Sequence, residues 1–241
     1  MKVLRAVLSI LPGFLLDVSA AGNPVDMHDD SAKAWPDTFV ARVEALALLQ
    51  TLNANLLGHD SATLILGEWC REHRLAEDPH IVVQRVPGKS LPASDEQRRD
   101  LRVSPADEVR YRHVRLLCGS LVLSEADNWY VSSRLTAAMN RQLDSTDSPF
   151  GAVVHELHFQ RHTLSARVLW EPLARGWEMD ARVDPPPGAD PQRAARLIVP
   201  ERVLEHRAVL SLPDGTPISE VIETYTGNVL AFAPPDNLRS R

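Results

Sequence analysis

The sequence predicts an α+β domain in which an antiparallel sheet carries helices packed on one side. Two observations lead there. Helical periodicity of apolar residues is concentrated in the first third of the chain, whereas from Ile81 onward short β-branched runs alternate with polar residues. The turns between those runs, Cys118-Gly119-Ser120 and Pro213-Asp214-Gly215, are tight enough to join antiparallel neighbours but too short for a parallel crossover. A length of 241 residues, 44% of them hydrophobic and 24% charged, suits one domain with a sizeable core.

The elements follow in order. Residues 1–21 begin with Lys2 and Arg5, continue with an apolar run from Ala6 to Leu16, and end in small residues around Ala20 and Ala21, the three-part pattern of a secretory leader. That run is about half of the ~20 residues needed to cross a bilayer, so no stable membrane span is expected and the mature chain is expected in the periplasm or secreted, or in the cytoplasm if the N-terminus is not cleaved. Residues 22–36 are polar and turn-rich and read as a flexible leader to a domain over 37–233, with 234–241 as a tail. Asp37 or Thr38 is placed to cap a helix whose Val43, Leu46, Leu49 and Leu52 recur at helical spacing. A second helix follows in "SATLILGEWCREH", capped by Asp60 or Ser61, with Leu64, Ile65 and Trp69 on one face.

Strands are expected in "HIVVQRV" (80–86), bounded by Pro79 and Pro87, and in the hairpin "VRYRHVRLL" and "LVLSEADNWYV". Short helical stretches are expected over 137–143 and 150–157, then a strand in "TLSARVLW" (163–170). Gly176, Pro185 to Pro187, Gly188 and Pro191 make 171–197 an exposed excursion. A last hairpin turns at Pro213-Asp214-Gly215.

A net charge of −6 with both signs interspersed provides no basic footprint for nucleic acid. Cys70 and Cys118 are compatible with one disulfide in an oxidising compartment, though the sequence does not show that they meet; without a CxxC pair they argue against a structural zinc site. "HELHFQRH" spaces His155, His158 and His162 differently from the H-E-x-x-H that puts two imidazoles one helical turn apart, so these are read as surface histidines on a short helix. No metal and no cofactor are expected. Ser124 and Ser211 lack the surroundings of a nucleophile elbow.

Strand alternation sorts the remaining charges. Arg112 shares a face with Val114 and Leu116, while His113 and Arg115 point the other way; Glu223 shares a face with Val221 and Tyr225. Two charges in line with apolar rows admit two readings. One is a structural Arg112–Glu223 ion pair or two outward side chains; the other is a cavity whose guanidinium grips a carboxylate while its carboxylate meets a hydroxyl. Arg134, at the end of the hairpin strand, is a further candidate anion contact.

The order of "DSATLIL" (60–66), "RHVRL" (112–116), "LDSTDSPFG" (143–151) and "PISEVIETY" (217–225) resembles the chorismate pyruvate-lyase family over about residues 45–232. The resemblance implies a six-stranded antiparallel sheet with helices on one side, a small closed cavity, and cofactor-free conversion of chorismate to 4-hydroxybenzoate and pyruvate. Carried over by position, Arg112 binds the ring carboxylate, Glu223 faces the ring hydroxyl, and Phe150 with Gly151 walls the cavity. Ala62 stands where bacterial members often have Met, so only a backbone contact is retained there. "LSEADNWYVSSRL" also resembles the ligand-sensing domains of GntR-type transcription regulators, which share this fold and bind small molecules without turnover. The resulting expectation is a carbon-oxygen lyase acting on chorismate or a close cyclic carboxylate; the alternative is a noncatalytic, exported binder of a small carboxylate.

Overall fold

The computed structural model describes residues 35–88, 90–179 and 196–234. The segment read as a secretory leader, nearly all of 22–36, the middle of the proline-rich excursion and all but the first residue of the tail lie outside the described residues. The chain runs α1 (Phe39–Leu57), α2 (Ala62–Glu72), β1 (Ile81–Arg85), α3 (Asp95–Asp100), β2 (Val109–Cys118), β3 (Leu121–Val131), α4 (Ala137–Ser145), α5 (Phe150–Val153), β4 (Gln160–Val168), β5 (Arg202–Ser211) and β6 (Pro217–Thr226). The six strands form one sheet in the order β1-β2-β3-β6-β5-β4, every neighbouring pair antiparallel. Pairing of β3 with β6 therefore joins the two expected hairpins into one surface. Gly119, at φ +57°, makes the β2–β3 turn, and a Cβ there would lie 2.8 Å from that of Ala76.

Four helices pack on one face of this sheet. Thr38 caps α1 by accepting from the amide of Ala41, and Ser61 caps α2 by accepting from that of Leu64. The buried stripe of α1 is Ala41, Ala45, Leu49, Leu52 and Leu56, so Val43 and Leu46, read from periodicity as core residues, are only half-buried. Two alanines let the helix approach the sheet closely and turn that stripe inward. Likewise α2 buries Ile65, Leu66, Trp69 and Cys70, whereas Leu64 is 57% exposed. The indole N–H groups of Trp35 and Trp69 donate to the carbonyls of Leu230 and Val229 at 3.0 and 2.9 Å, closing the core over the turn that follows β6. A disulfide between Cys70 and Cys118, both fully buried, fastens α2 to the end of β2.

The other face carries the short α3. There α3 covers a small apolar cluster of Leu101, Trp129 and Val131. Its six residues, DEQRRD, contain no apolar side chain and hence no periodic signal; a capping box between Ser94 and Gln97 starts it. His113 and Arg115 lie on this face, as alternation requires, and pair directly across the hairpin with Asp127 and Glu125, each at 2.8 Å. Arg207 joins Glu220, Glu96 and Asp100 at 2.7 Å each, tying α3 to β5 and β6. At the sheet edge, β4 is exposed along nearly its whole length.

Candidate functional site

Between the helical layer and the sheet lies a cavity of about 870 Å³, within the size range of small-molecule sites. Its floor is the row of inward side chains on β2, β3 and β6: Arg112, Val114, Leu116, Ala126, Asn128, Val221 and Glu223. The first turns of α2, from Asp60 to Leu64, and the α5 region, from Pro149 to Phe159, form its walls. The lining is predominantly apolar with a few converging charges, so those charges act in a medium that screens them poorly.

Arg112 is 5% exposed. Its Nη2 donates to the carbonyl of Thr146 at 3.0 Å, while its Nε–H is buried without a partner. None of the carboxylates in the described residues forms an ion pair with it. Burial, helped by the nearby Arg85 cation, pushes its pKa below the usual arginine value. Arg112 is thus a desolvated cation lacking a counter-ion among the described residues, an arrangement that costs several kcal/mol unless something else supplies the charge.

Glu223 stands two strands away. Its Oε2 accepts from Arg161 Nη2 at 2.6 Å and from the Tyr225 hydroxyl at 3.0 Å. The Arg161 and Glu223 side chains are only 6% and 10% exposed. Burial opposes the Arg161 cation, but Glu223, through its charge and hydrogen bond, together with Tyr225 and Asp60 outweighs it and the pKa is raised. Burial, reinforced by the same carboxylate, holds the Tyr225 hydroxyl well above its usual pKa. His206, opposite Glu223 in the β5–β6 register, is fully buried against the Tyr225 ring and bonded through Nε2 to Asn53 Oδ1 at 2.8 Å. Burial lowers its pKa.

Arg112 and Glu223 therefore face one cavity without pairing with each other, and Ala62, Phe150 and Gly151 line the same space. Arg134 is placed elsewhere. Its guanidinium donates to the carbonyls of Leu101, Arg102 and Pro217, bracing α3 against the start of β6 instead of reaching the cavity. The residue that alternation missed is Arg161. Strand β4 begins at Gln160, three residues ahead of the run "TLSARVLW", and starting the alternation at Phe159 would have put Phe159 and Arg161 on one face. His162 is consequently on a strand, not on a helix; His155 and His158 lie at the cavity rim.

The imbalance at Arg112 leads to a prediction. An Arg112→Met protein gains about 1–2 kcal/mol against urea unfolding, because an apolar side chain of similar length removes a buried unpaired charge. A urea midpoint no higher than the parent's at equal slope would show that the charge carries no such cost.

No family model matches the chain. The uncharacterized protein y4mC of Sinorhizobium fredii (strain NBRC 101917 / NGR234) is 49% identical over 234 residues, which cover 97% of this chain and 92% of that protein. Among solved structures, PhnF from Mycobacterium smegmatis aligns over 73% of this chain and 68% of its own, at 15% identity and a TM-score of 0.43. A GntR-family transcriptional regulator from Enterococcus faecalis V583 aligns over 61% and 94%, at 14% identity and a TM-score of 0.38. The possible transcriptional regulator YydK from Bacillus subtilis aligns over 66% of this chain, at 13% identity and a TM-score of 0.40, and the match spans 64% of YydK, less than two thirds of its length. With 49% identity over almost its full length, the chain belongs to the same family as y4mC of Sinorhizobium fredii.

Proposed function

We propose that this protein binds a small, ring-sized carboxylate in the cavity, with Arg112 as its anchor. The observation that carries the reading is the buried guanidinium, without a counter-ion among the described residues, on the floor of a mostly apolar space. A bound carboxylate supplies the missing charge and accepts from the free Nε–H and a neighbouring Nη–H in the bidentate geometry that arginine favours. Size agrees. Strands β2 and β6 are separated by β3, hence by about 9.5 Å, and side chains reaching in from both leave room for one six-membered ring with a substituent at each end.

The resemblance to the chorismate pyruvate-lyases supports a finer reading, in which the bound acid is chorismate. One observation favours it: Arg112 and Glu223, the two positions that the resemblance assigns to the ends of the ring, line the same cavity from the same face of the sheet. Cleavage of the enolpyruvyl ether releases pyruvate and leaves an aromatic ring, so the chain's part is to hold the ring carboxylate at Arg112, keep the opposite end beside Glu223 and exclude water. The leader pattern of residues 1–21 and the Cys70–Cys118 disulfide support a location outside the cytoplasm.

The oxidised protein is incubated with chorismate while pyruvate and 4-hydroxybenzoate are followed together. Equal release of both, faster than spontaneous decay and absent from Arg112→Met, identifies a lyase. Absence of product together with a rise in melting temperature on adding 4-hydroxybenzoate identifies a binder without turnover. If neither product nor stabilisation is seen, the carboxylate reading is wrong.

A further inference from the structure

We infer that the cavity has a second, apolar compartment beyond the ring, between α2 and the start of β1, and that the ligand it fits best is a ring carboxylate with an unbranched apolar chain meta to the carboxylate. The inference rests on the carboxylate reading above and adds the part of the ligand that the outer cavity selects; the ring compartment stays as proposed.

Strand register shows how far the cavity runs past the ring. Glu223 pairs with Ala126 and Ala126 with Val114, so a ring reaching from Arg112 to Glu223 ends over this row of side chains. The lining continues. Leu116 stands in the next row along β2, and Ile81 lies opposite Cys118, one row further still. With two residues to a row, Ile81 is about 14 Å beyond the last row that the ring covers. The direction is fixed as well, because β1 flanks β2 on the side away from β3 and β6. The ring points from β2 across β3 toward β6, whereas the extension runs along β2 and back toward β1. A chain entering it therefore leaves the side of the ring, not the end that faces Glu223.

The surfaces of the extension are apolar. Leu116 and Ile81 form its floor, and Leu64 with Gly67, three residues apart on one face of α2, forms its roof. Arg71, one turn beyond Gly67, and His80, beside Ile81, are exposed and mark the open end. Leu64 is 57% exposed, and a chain in the compartment covers it. Gly67 lies inside α2, where glycine weakens a helix relative to alanine. Packing does not demand it: the nearest atom to a Cβ at this position is Ile81 Cγ1 at 3.8 Å, an ordinary contact. A longer side chain would project between α2 and β1, so the glycine keeps the compartment open.

The test is calorimetric titration of the full oxidised chain with 3-methoxybenzoate, 3-octyloxybenzoate and 4-octyloxybenzoate, the last having the same apolar chain aimed at Glu223. Each methylene taken out of water is worth about fourfold in affinity, so 3-octyloxybenzoate is expected to bind at least 100-fold more tightly than 3-methoxybenzoate and at least 10-fold more tightly than its 4-isomer. Gly67→Leu is expected to erase that gain and to leave the affinity for 3-methoxybenzoate unchanged. Circular dichroism verifies its fold, and Ile81→Phe, which fills the same space from the strand side, repeats the measurement. Binding of 3-octyloxybenzoate no tighter than that of 3-methoxybenzoate or of the 4-isomer, or a gain that survives both substitutions, overturns the compartment and leaves the carboxylate reading in place. Binding of none of the three acids overturns the carboxylate reading itself.

Discussion

Removing the Cys70–Cys118 bridge, by replacing both residues with Ala, lowers stability by about 4 kcal/mol, as expected when a loop of this length is no longer closed in the unfolded chain. The cysteines are 48 residues apart, and both are fully buried. For a domain of this size the loss corresponds to a melting temperature lower by on the order of 10 °C. The bridge fastens α2, a wall of the cavity, to β2, which carries Arg112. Urea unfolding of the oxidised parent and of the double variant measures the difference; equal midpoints at equal slopes would show that the bridge contributes nothing.

Arg207→Met is expected to cost about 3–5 kcal/mol, the usual result of stripping the partner from a buried charge. The side chain of Glu220 is completely buried, one of its oxygens has no hydrogen bond, and Arg207 Nε reaches the other at 2.7 Å. Burial raises the Glu220 pKa and Arg207 opposes that rise. The sign of the pH effect follows. With Arg207 gone, the pKa in the folded state rises further above its unfolded value, so the folded chain binds this proton more tightly. The deficit is therefore full above the folded-state pKa and shrinks as the pH falls through it toward the ordinary glutamate range. Adding Glu220→Met to Arg207→Met is expected to restore most of the loss, and a double variant no more stable than Arg207→Met would rule out a stranded charge as its cause.

Much of this architecture was legible in the sequence because antiparallel hairpins announce themselves locally. Alternation in β2 and β6 placed Arg112 and Glu223 on the same kind of face, and the glycine turns set which strands are neighbours. What escaped lacked a local signal. Helix α3 has no apolar residue to show periodicity, and it follows a capping box instead. The rotation of α1 depends on how closely two alanines let it approach the sheet, which is a property of the partner surface. Meeting of Cys70 with Cys118 depends on packing of α2 across the sheet, not on spacing. Arg161 was hidden by a histidine-rich stretch that looked helical, where His158 in a left-handed conformation ends a short turn and starts β4 early. Arg134 shows the reverse error: an arginine near a cavity in sequence order whose three hydrogen bonds all go to backbone carbonyls.

Strand β4 has a kinetic consequence. It is an edge strand, held by backbone pairing to β5 alone and exposed along most of its length, yet it supplies Arg161. Edge elements of this kind open locally far more often than the global unfolding rate allows. Each opening withdraws Arg161 from Glu223 and dismantles one end of the cavity while Arg112, on a strand paired on both sides, stays in place. Occupancy of the cavity is then reported most sharply not beside the anchoring arginine but in the amide hydrogen exchange of β4, whose protection rises as ligand holds that end closed.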